Sequence, residues 1–359
     1  MRLLIDAYTL EGGGITHLEN LLKTKYLSNF EIVVVARRHH MKRILSARQN
    51  ISFIDGLNYS FVNYYLFIIH SVIRSHDIDL VFSTNGFYIG AKKCVIICHN
   101  ILPFDPVNSR KYYSFKKQMK FLLMRIWFGI SYARAKHVIF LSNFAAKTVC
   151  RYVKVESKSI IPHGLQHICI QSNGVIQNDQ ITHSLVYTSS FEPYKNHDIL
   201  LLALANLRER GIKLRLNLIG TGKNKYTERI KKLIIDLSLV DTVKLWGQVA
   251  QTDLSKIYAE CNTALFLSEC ENLPNILLEY MHVKLPVICA NVGPMKEIMA
   301  TNPDWCVSHM DVASIEDILL ARLENKLAGF KFFTNEERDY YDWSSVAEKH
   351  EAIFRSVVM

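Results

Sequence analysis

Short β-branched runs alternate with longer amphipathic stretches along the first half of the chain. The runs are Leu3-Leu4-Ile5, Glu31 to Val35, Leu80-Val81-Phe82, Cys94 to Cys98 and Val138-Ile139-Phe140. This βαβ rhythm predicts a parallel sheet with helices on its faces. Ile160-Ile161-Pro162-His163-Gly164 closes that half, and the polar segment Gln171 to Gln180 reads as a connection. The rhythm then restarts with strands predicted at Ser184 to Thr188, Leu214 to Ile219, Val243 to Trp246, Thr263 to Leu267 and Pro286 to Ala290. Helices are predicted between them, as at Asn196 to Arg208 and Tyr226 to Ser238. The expected architecture is α/β: two doubly wound, Rossmann-like parallel-sheet domains facing across a cleft. Their expected spans are 1–165, a linker over 166–182, and 183–335, with 336–359 as a C-terminal helix returning to the first domain.

Composition agrees with two folded domains. At roughly 150 residues per domain, a chain of 359 residues accommodates two. A hydrophobic share of 49% with 21% charged residues is that of a globular protein. The opening apolar stretch ends at Asp6, too early for a signal-peptide core, so a cytoplasmic location is expected. Tyr64 to Ile73 and Phe121 to Ile130 fall short of the roughly 18 apolar residues of a spanning helix. Eight cysteines, scattered without a C-x-x-C pair, read as reduced thiols and not as a zinc site.

Charge changes the picture more. The formal net charge is +10. Residues 1–165 carry 23 Lys+Arg against 9 Asp+Glu, a balance of +14, whereas residues 166–359 carry 20 against 24. An anionic partner is therefore expected on the first half. The stretch Arg110 to Trp127 mixes basic and aromatic residues at helical spacing, and Arg37, Arg38, Lys42 and Arg43 add to it. Peripheral contact with the anionic inner face of a membrane is the expectation, against the alternative of a core helix with a solvated basic face. No nucleic-acid-binding module is recognisable.

The richest chemistry follows strand 263–267, in Ser268-Glu269-Cys270-Glu271-Asn272-Leu273-Pro274-Asn275-Ile276-Leu277-Leu278-Glu279. Pro274 suits the first turn of a helix on which Asn275, Glu279 and His282 share one stripe. Free amides at such a helix start can bind a diphosphate, and Glu279, a little over a turn along, can accept from two ribose hydroxyls. The competing reading is a solvated face with an acid near a helix start. Asp77-Ile78-Asp79 matches a metal-binding D-x-D, yet it sits at a helix end directly before a strand. His39-His40 and His163 show no second cluster at ligand spacing, so no metal site is expected. Gly220-Thr221-Gly222 lacks the third glycine of a dinucleotide fingerprint.

The pair Glu271 and Glu279, with the segment through Leu285-Pro286-Val287-Ile288, resembles the signature of the retaining GT-B glycosyltransferases that include bacterial lipopolysaccharide and O-antigen transferases. The resemblance covers nearly the whole chain. It includes Gly12-Gly13-Gly14, His99, Ser142-Asn143-Phe144, Pro162-His163-Gly164, Lys195 after Phe191-Glu192-Pro193, Gly220-Thr221-Gly222, Gly247, and Gly293 before Glu297.

The resemblance implies a hexosyltransferase with a UDP- or GDP-linked sugar as substrate, no cofactor and no metal, and a lipid-linked or oligosaccharide acceptor. It implies that Glu271 approaches the transferred sugar, His99 sits beside it, Lys195 meets the diphosphate and Glu279 holds the ribose. Gly13 and Gly14 would let main chain approach the sugar-phosphate. Ser190, Gly220, Asn272, Leu273, Pro274 and Asn275 would complete the donor site, with the base near Trp246, Gln248 and Val249. Departures are Ser189-Ser190, where many relatives have Gly followed by Arg or Ser, Asn272 in place of a frequent glycine, and Asn275 where small or apolar residues are common. Rival readings are a nucleotide-sugar epimerase of similar fold and a catalytically silent binding subunit; Lys195, Glu271 and Glu279 together argue against the latter.

Overall fold

The computed structural model describes residues 1–48, 50–56, 59–90, 92–165, 183–222 and 224–359. The connection expected over 166–182, Cys169 included, lies outside the described residues. The chain divides into two compact units, Met1–Leu165 with Asp339–Met359, and Gln166–Arg338.

The N-terminal unit is built on strands β1 (Arg2–Ala7), β2 (Glu31–Ala36), β3 (Ile51–Asp55), β4 (Leu80–Ser83), β5 (Cys94–Cys98), β6 (His137–Phe140) and β7 (Lys158–Ile160), in the order β3-β2-β1-β4-β5-β6-β7. Every neighbouring pair is parallel. Helices cover both faces, so strands such as Leu3-Leu4-Ile5 are completely buried and read as unbroken apolar runs. The C-terminal unit carries β8 (His183–Thr188), β9 (Leu214–Ile219), β10 (Val243–Gly247), β11 (Thr263–Phe266), β12 (Val287–Ala290) and β13 (Cys306–Val307), in the order β10-β9-β8-β11-β12-β13 and again all parallel. That is the doubly wound order, and its direction of winding reverses between β8 and β11.

Three strands escaped the sequence pattern: β3, β7 and β13. Each is a short strand at or next to a sheet edge and only partly buried, so its apolar signal is weak.

The last helix, Trp343–Val358, belongs to the N-terminal unit. Phe354 packs with its ring centroid 5.0 Å from that of Phe82 on β4 and 6.0 Å from that of Phe30. Its cap is Asp342, whose carboxylate accepts from Ser344 N at 2.7 Å, and neither Ser344 nor Ser345 plays that part. Asp outcompetes Ser here because its charge also meets the helix dipole. Among the described residues no helix is long and apolar enough to cross a membrane. The seven described cysteines are free thiols.

Candidate active site

In an open parallel sheet, ligands bind outside the carboxyl ends of the strands where the winding reverses. In the C-terminal unit that place lies beyond β8 and β11. The segments following these strands carry Lys195 and Glu271, and they are tied to each other. Glu269 N donates to Tyr194 O at 2.9 Å, and Asn196 Nδ2 donates to Leu267 O at 2.8 Å and to Glu269 Oε2 at 3.1 Å. Asn196 has φ +56°, a left-handed conformation that Asn tolerates better than most residues. The resulting turn aims Lys195 inward. Its ammonium pairs with the Glu271 carboxylate, and the two side chains are only 10% and 16% exposed. The Lys195 ammonium also lies 5.3 Å from the ring centroids of Tyr194 and Phe266. Lysine and glutamate assigned to different parts of a donor therefore contact each other directly.

The helix Asn275–His282 starts just beyond Glu271. Pro274 stands one residue before its first turn, at the cap, and its carbonyl accepts from Leu278 N at 3.1 Å. The amides of Ile276 and Leu277 fall in the first turn, where no preceding helical carbonyl can meet them. Tyr280 fixes the helix: its buried hydroxyl accepts from Thr188 N at the end of β8 at 2.9 Å, and Tyr258 OH donates to Thr188 Oγ1 at 3.1 Å. Glu279, partly buried next to Tyr280, accepts no hydrogen bond from any described residue. Burial alone pushes its carboxyl up to about 7. A carboxylate held in this way is short of donors, as the ribose-binding expectation requires.

Two further strand ends, those of β9 and β10, continue the row. Ser189 N donates to Ile219 O at 2.9 Å, and Gly220 N to Gly247 O at 2.8 Å. Gly220 has φ +128°, and a Cβ there would stand 1.9 Å from Ser189 O, so only glycine fits. Ser190 is exposed beside it, as is Gln248, while Val249, Asn272, Leu273 and Asn275 are partly exposed. Trp246 donates its indole N–H to Asn217 Oδ1 at 2.9 Å, under the Lys244 ammonium 3.4 Å from its ring centroid. The structure thus brings Ser190, Lys195, Gly220, Trp246, Gln248, Val249, Glu271, Asn272, Leu273, Pro274, Asn275 and Glu279 to one end of one sheet. Asn196, Glu269, Tyr258 and Tyr280 were missed. Only Asn196, an Asn at a helix start, left a local sign.

His99, Gly13 and Gly14 belong to the N-terminal unit, at the carboxyl ends of β5 and β1. Gly13 and Gly14 form the first turn of the helix Gly13–Lys23, not a loop, with Gly12 at φ +54° before it. Open space faces the position of a Cβ on Gly13. His99 Nδ1 lies 3.3 Å from His163 Nε2, and its buried Nε2 has no hydrogen-bond partner among the described residues. His17, His163 and His350 complete a buried histidine core with Trp343: the His17 centroid is 4.5 Å from His163, 5.6 Å from His99 and from His350, and 5.3 Å from Trp343. Along the sequence His163 stands isolated, because its partners are remote along the chain. Likewise His39 and His40 meet Glu11, with ligand-type atoms within 4.8 Å of one another, and Arg37 holds the other Glu11 oxygen at 3.1 Å. The acids of Asp77-Ile78-Asp79 face Arg2: Arg2 N donates to Asp79 at 2.8 Å, and the Arg2 guanidinium is 3.6 Å from Asp77.

The histidine core sets a pH dependence. Burial lowers His99 and His350 to about 4, and holds His17 and His163 well below the ordinary value. Unfolded imidazoles take a proton near pH 6.5, so between pH 6.5 and 4 the unfolded chain binds more protons and folding stability falls with the pH. Asp6, raised to about 6 by burial, opposes this in the same unit, but one acid faces four imidazoles. The melting temperature of the N-terminal unit should drop between pH 7.5 and 5, and less in His350→Phe. A melting temperature that rises on acidification would contradict this.

Comparison with known proteins gives the family. A family model for Glycosyltransferase Family 4 matches residues 12–167, and one for Glycosyl transferases group 1 matches residues 176–337. The O-antigen chain mannosyltransferase RfbU of Salmonella typhimurium is 22% identical over 76% of this chain and 75% of its own length. A glycosyltransferase from Rickettsia africae superposes with a TM-score of 0.76 at 15% identity, covering 99% of this chain and 98% of that one. Anabaena HepE in complex with UDP and glucose gives a TM-score of 0.70 at 17% identity, covering 100% and 96%. With two parallel-sheet units, consecutive family matches over both and the acid pair Glu271 and Glu279 in place, the chain belongs to the GT-B glycosyltransferases of the family 4 and group 1 type.

Proposed function

We propose that the protein transfers a hexose from a UDP- or GDP-linked donor to a glycan or lipid-linked acceptor with retention of anomeric configuration, in bacterial surface polysaccharide synthesis. The observation that carries this reading is the Lys195–Glu271 ion pair, together with a partly buried Glu279 that accepts no hydrogen bond from any described residue, where the winding of the second sheet reverses. The names of RfbU, an O-antigen chain mannosyltransferase, and of HepE, seen with UDP and glucose, support the substrate class.

The diphosphate takes the place beside Lys195 and the first-turn amides of Ile276 and Leu277. Lys195 and these amides then stabilise the charge that grows on the leaving group as the sugar–oxygen bond breaks. Glu271 orients Lys195 before the donor arrives and faces the sugar afterwards. His99, Gly13 and Gly14 are assigned to the sugar and its phosphate by the family resemblance. The acceptor attacks from the face that the diphosphate leaves, in an oxocarbenium-like substitution, and no metal takes part. The enzyme works in the cytoplasm, peripherally on the inner face of the membrane.

A mass-tagged panel of nucleotide sugars, offered with a glycan or lipid-linked acceptor mixture in the presence of chelator, should yield transfer from at least one donor. Transfer from none would overturn the reading. Interconversion of a donor with no acceptor present would instead reveal an epimerase.

A further inference from the structure

The helix Phe115–Arg134 is apolar on two opposite sides. One side packs inward through Phe121, Phe128 and Tyr132. The other presents Phe115, Met119, Leu122, Leu123, Ile126, Trp127 and Ile130 to solvent, at 41–75% exposure. At about 100° per residue these seven fall within an arc of roughly 140°. Lys116, Lys120 and Arg134 lie along one border of that arc, all exposed. A second helical stretch, 61–75, exposes Val62, Leu66 and Phe67 at 59–64%. It lies close by: the Tyr65 ring meets Phe87 at 4.7 Å, and Phe87 meets Trp127 at 5.7 Å.

An apolar surface of this extent on a folded unit calls for an occupant. Charge selects it. From residue 106 to 155 the chain has 11 Lys+Arg and no Asp or Glu, and none of the residues 56–76 is acidic either. A second copy of this chain laid on the patch would bring one basic border against another. A sheet of anionic headgroups over an apolar interior matches both features at once.

We infer that the N-terminal unit inserts this two-helix apolar face into the acyl boundary of an anionic phospholipid bilayer, with Lys116, Lys120 and Arg134 at the headgroups. This rests on the membrane location proposed above and goes further, since attachment by surface charge alone would leave Leu66, Phe67, Leu123, Ile126 and Trp127 in water.

The test uses the full chain with vesicles of phosphatidylglycerol and phosphatidylethanolamine, against phosphatidylcholine vesicles. Trp127 fluorescence should be quenched by bromine labels on the acyl chains, and that quenching should vanish in Trp127→Phe. Vesicle affinity should fall at least tenfold in Leu123→Ser/Ile126→Ser and in Phe67→Ser, whose circular dichroism should match wild type because these side chains are exposed. A fraction of wild-type binding should survive about 0.5 M salt, where surface charge is screened.

Binding that salt abolishes completely, without acyl-chain quenching, would overturn insertion and leave charge-driven attachment standing, as loss of binding in Lys116→Glu/Lys117→Glu/Lys120→Glu alone would confirm. Binding to neither vesicle would overturn both, while the donor assay continues to test transfer. Concentration-dependent dimers abolished by the serine variants would give the face to a second copy and overturn the inference.

Discussion

Glu279→Gln should weaken binding of the free nucleoside diphosphate by roughly ten- to a hundredfold, the loss of one charge-assisted contact of about 1.5–3 kcal/mol, while leaving the unliganded protein at least as stable. Both halves of the result have one cause. Glu279 is partly buried with no donor from the described residues; burial raises its carboxyl to about 7, and a neutral glutamine is suited to the empty site. Ribose hydroxyls would supply the missing donors and favour the ionised form. Wild-type affinity should therefore fall as the pH drops below 7 through the range in which free Glu279 becomes protonated, and the variant should lack that slope. Calorimetry at pH 8, 7 and 6 decides it. Equal affinities for wild type and variant at pH 8 would remove Glu279 from the donor site.

Lys195→Met should lower the rate of transfer about 100- to 1000-fold, the scale on which a preorganised charge at a leaving group acts. It should also destabilise the C-terminal unit, because Glu271 is then left with an unpaired charge at 16% side-chain exposure. Removing one partner of a buried pair costs about 3–5 kcal/mol, whereas removing both is often neutral. Lys195→Met/Glu271→Gln should accordingly recover most of the lost melting temperature and none of the lost rate. If the double variant regains activity along with stability, Lys195 is a structural residue and the leaving group is stabilised elsewhere.

The alternation of β-branched runs and amphipathic stretches was enough to read both sheets, since strands covered on both faces must be apolar throughout. It failed at β3, β7 and β13, which are short and half-buried. In the site, the residues legible in the sequence are those within one short segment, such as Glu271 to Glu279, where helical spacing orders the side chains. Contacts between segments were not legible. Lys195 and Glu271 are 76 residues apart, and nothing local in either segment announces their pairing. The four histidines of this core, His17, His99, His163 and His350, come from two helices and two loops, so spacing along the chain carries no trace of them. The aromatic-basic stretch was read for its charge, and its outward apolar face emerged only once the inward one was fixed by packing.

That the nucleotide sugar is held at the carboxyl ends of β8 to β11 is the claim on which the rest depends, and hydrogen exchange on the full chain with UDP, GDP and their hexose conjugates tests it most directly. Slowed exchange is expected over 189–196, 220–222, 246–249 and 271–279 with at least one of these ligands, and at reduced ligand affinity in Glu279→Gln. Exchange unchanged in all four segments at millimolar ligand, or slowed only at the far, amino ends of these strands, would contradict it.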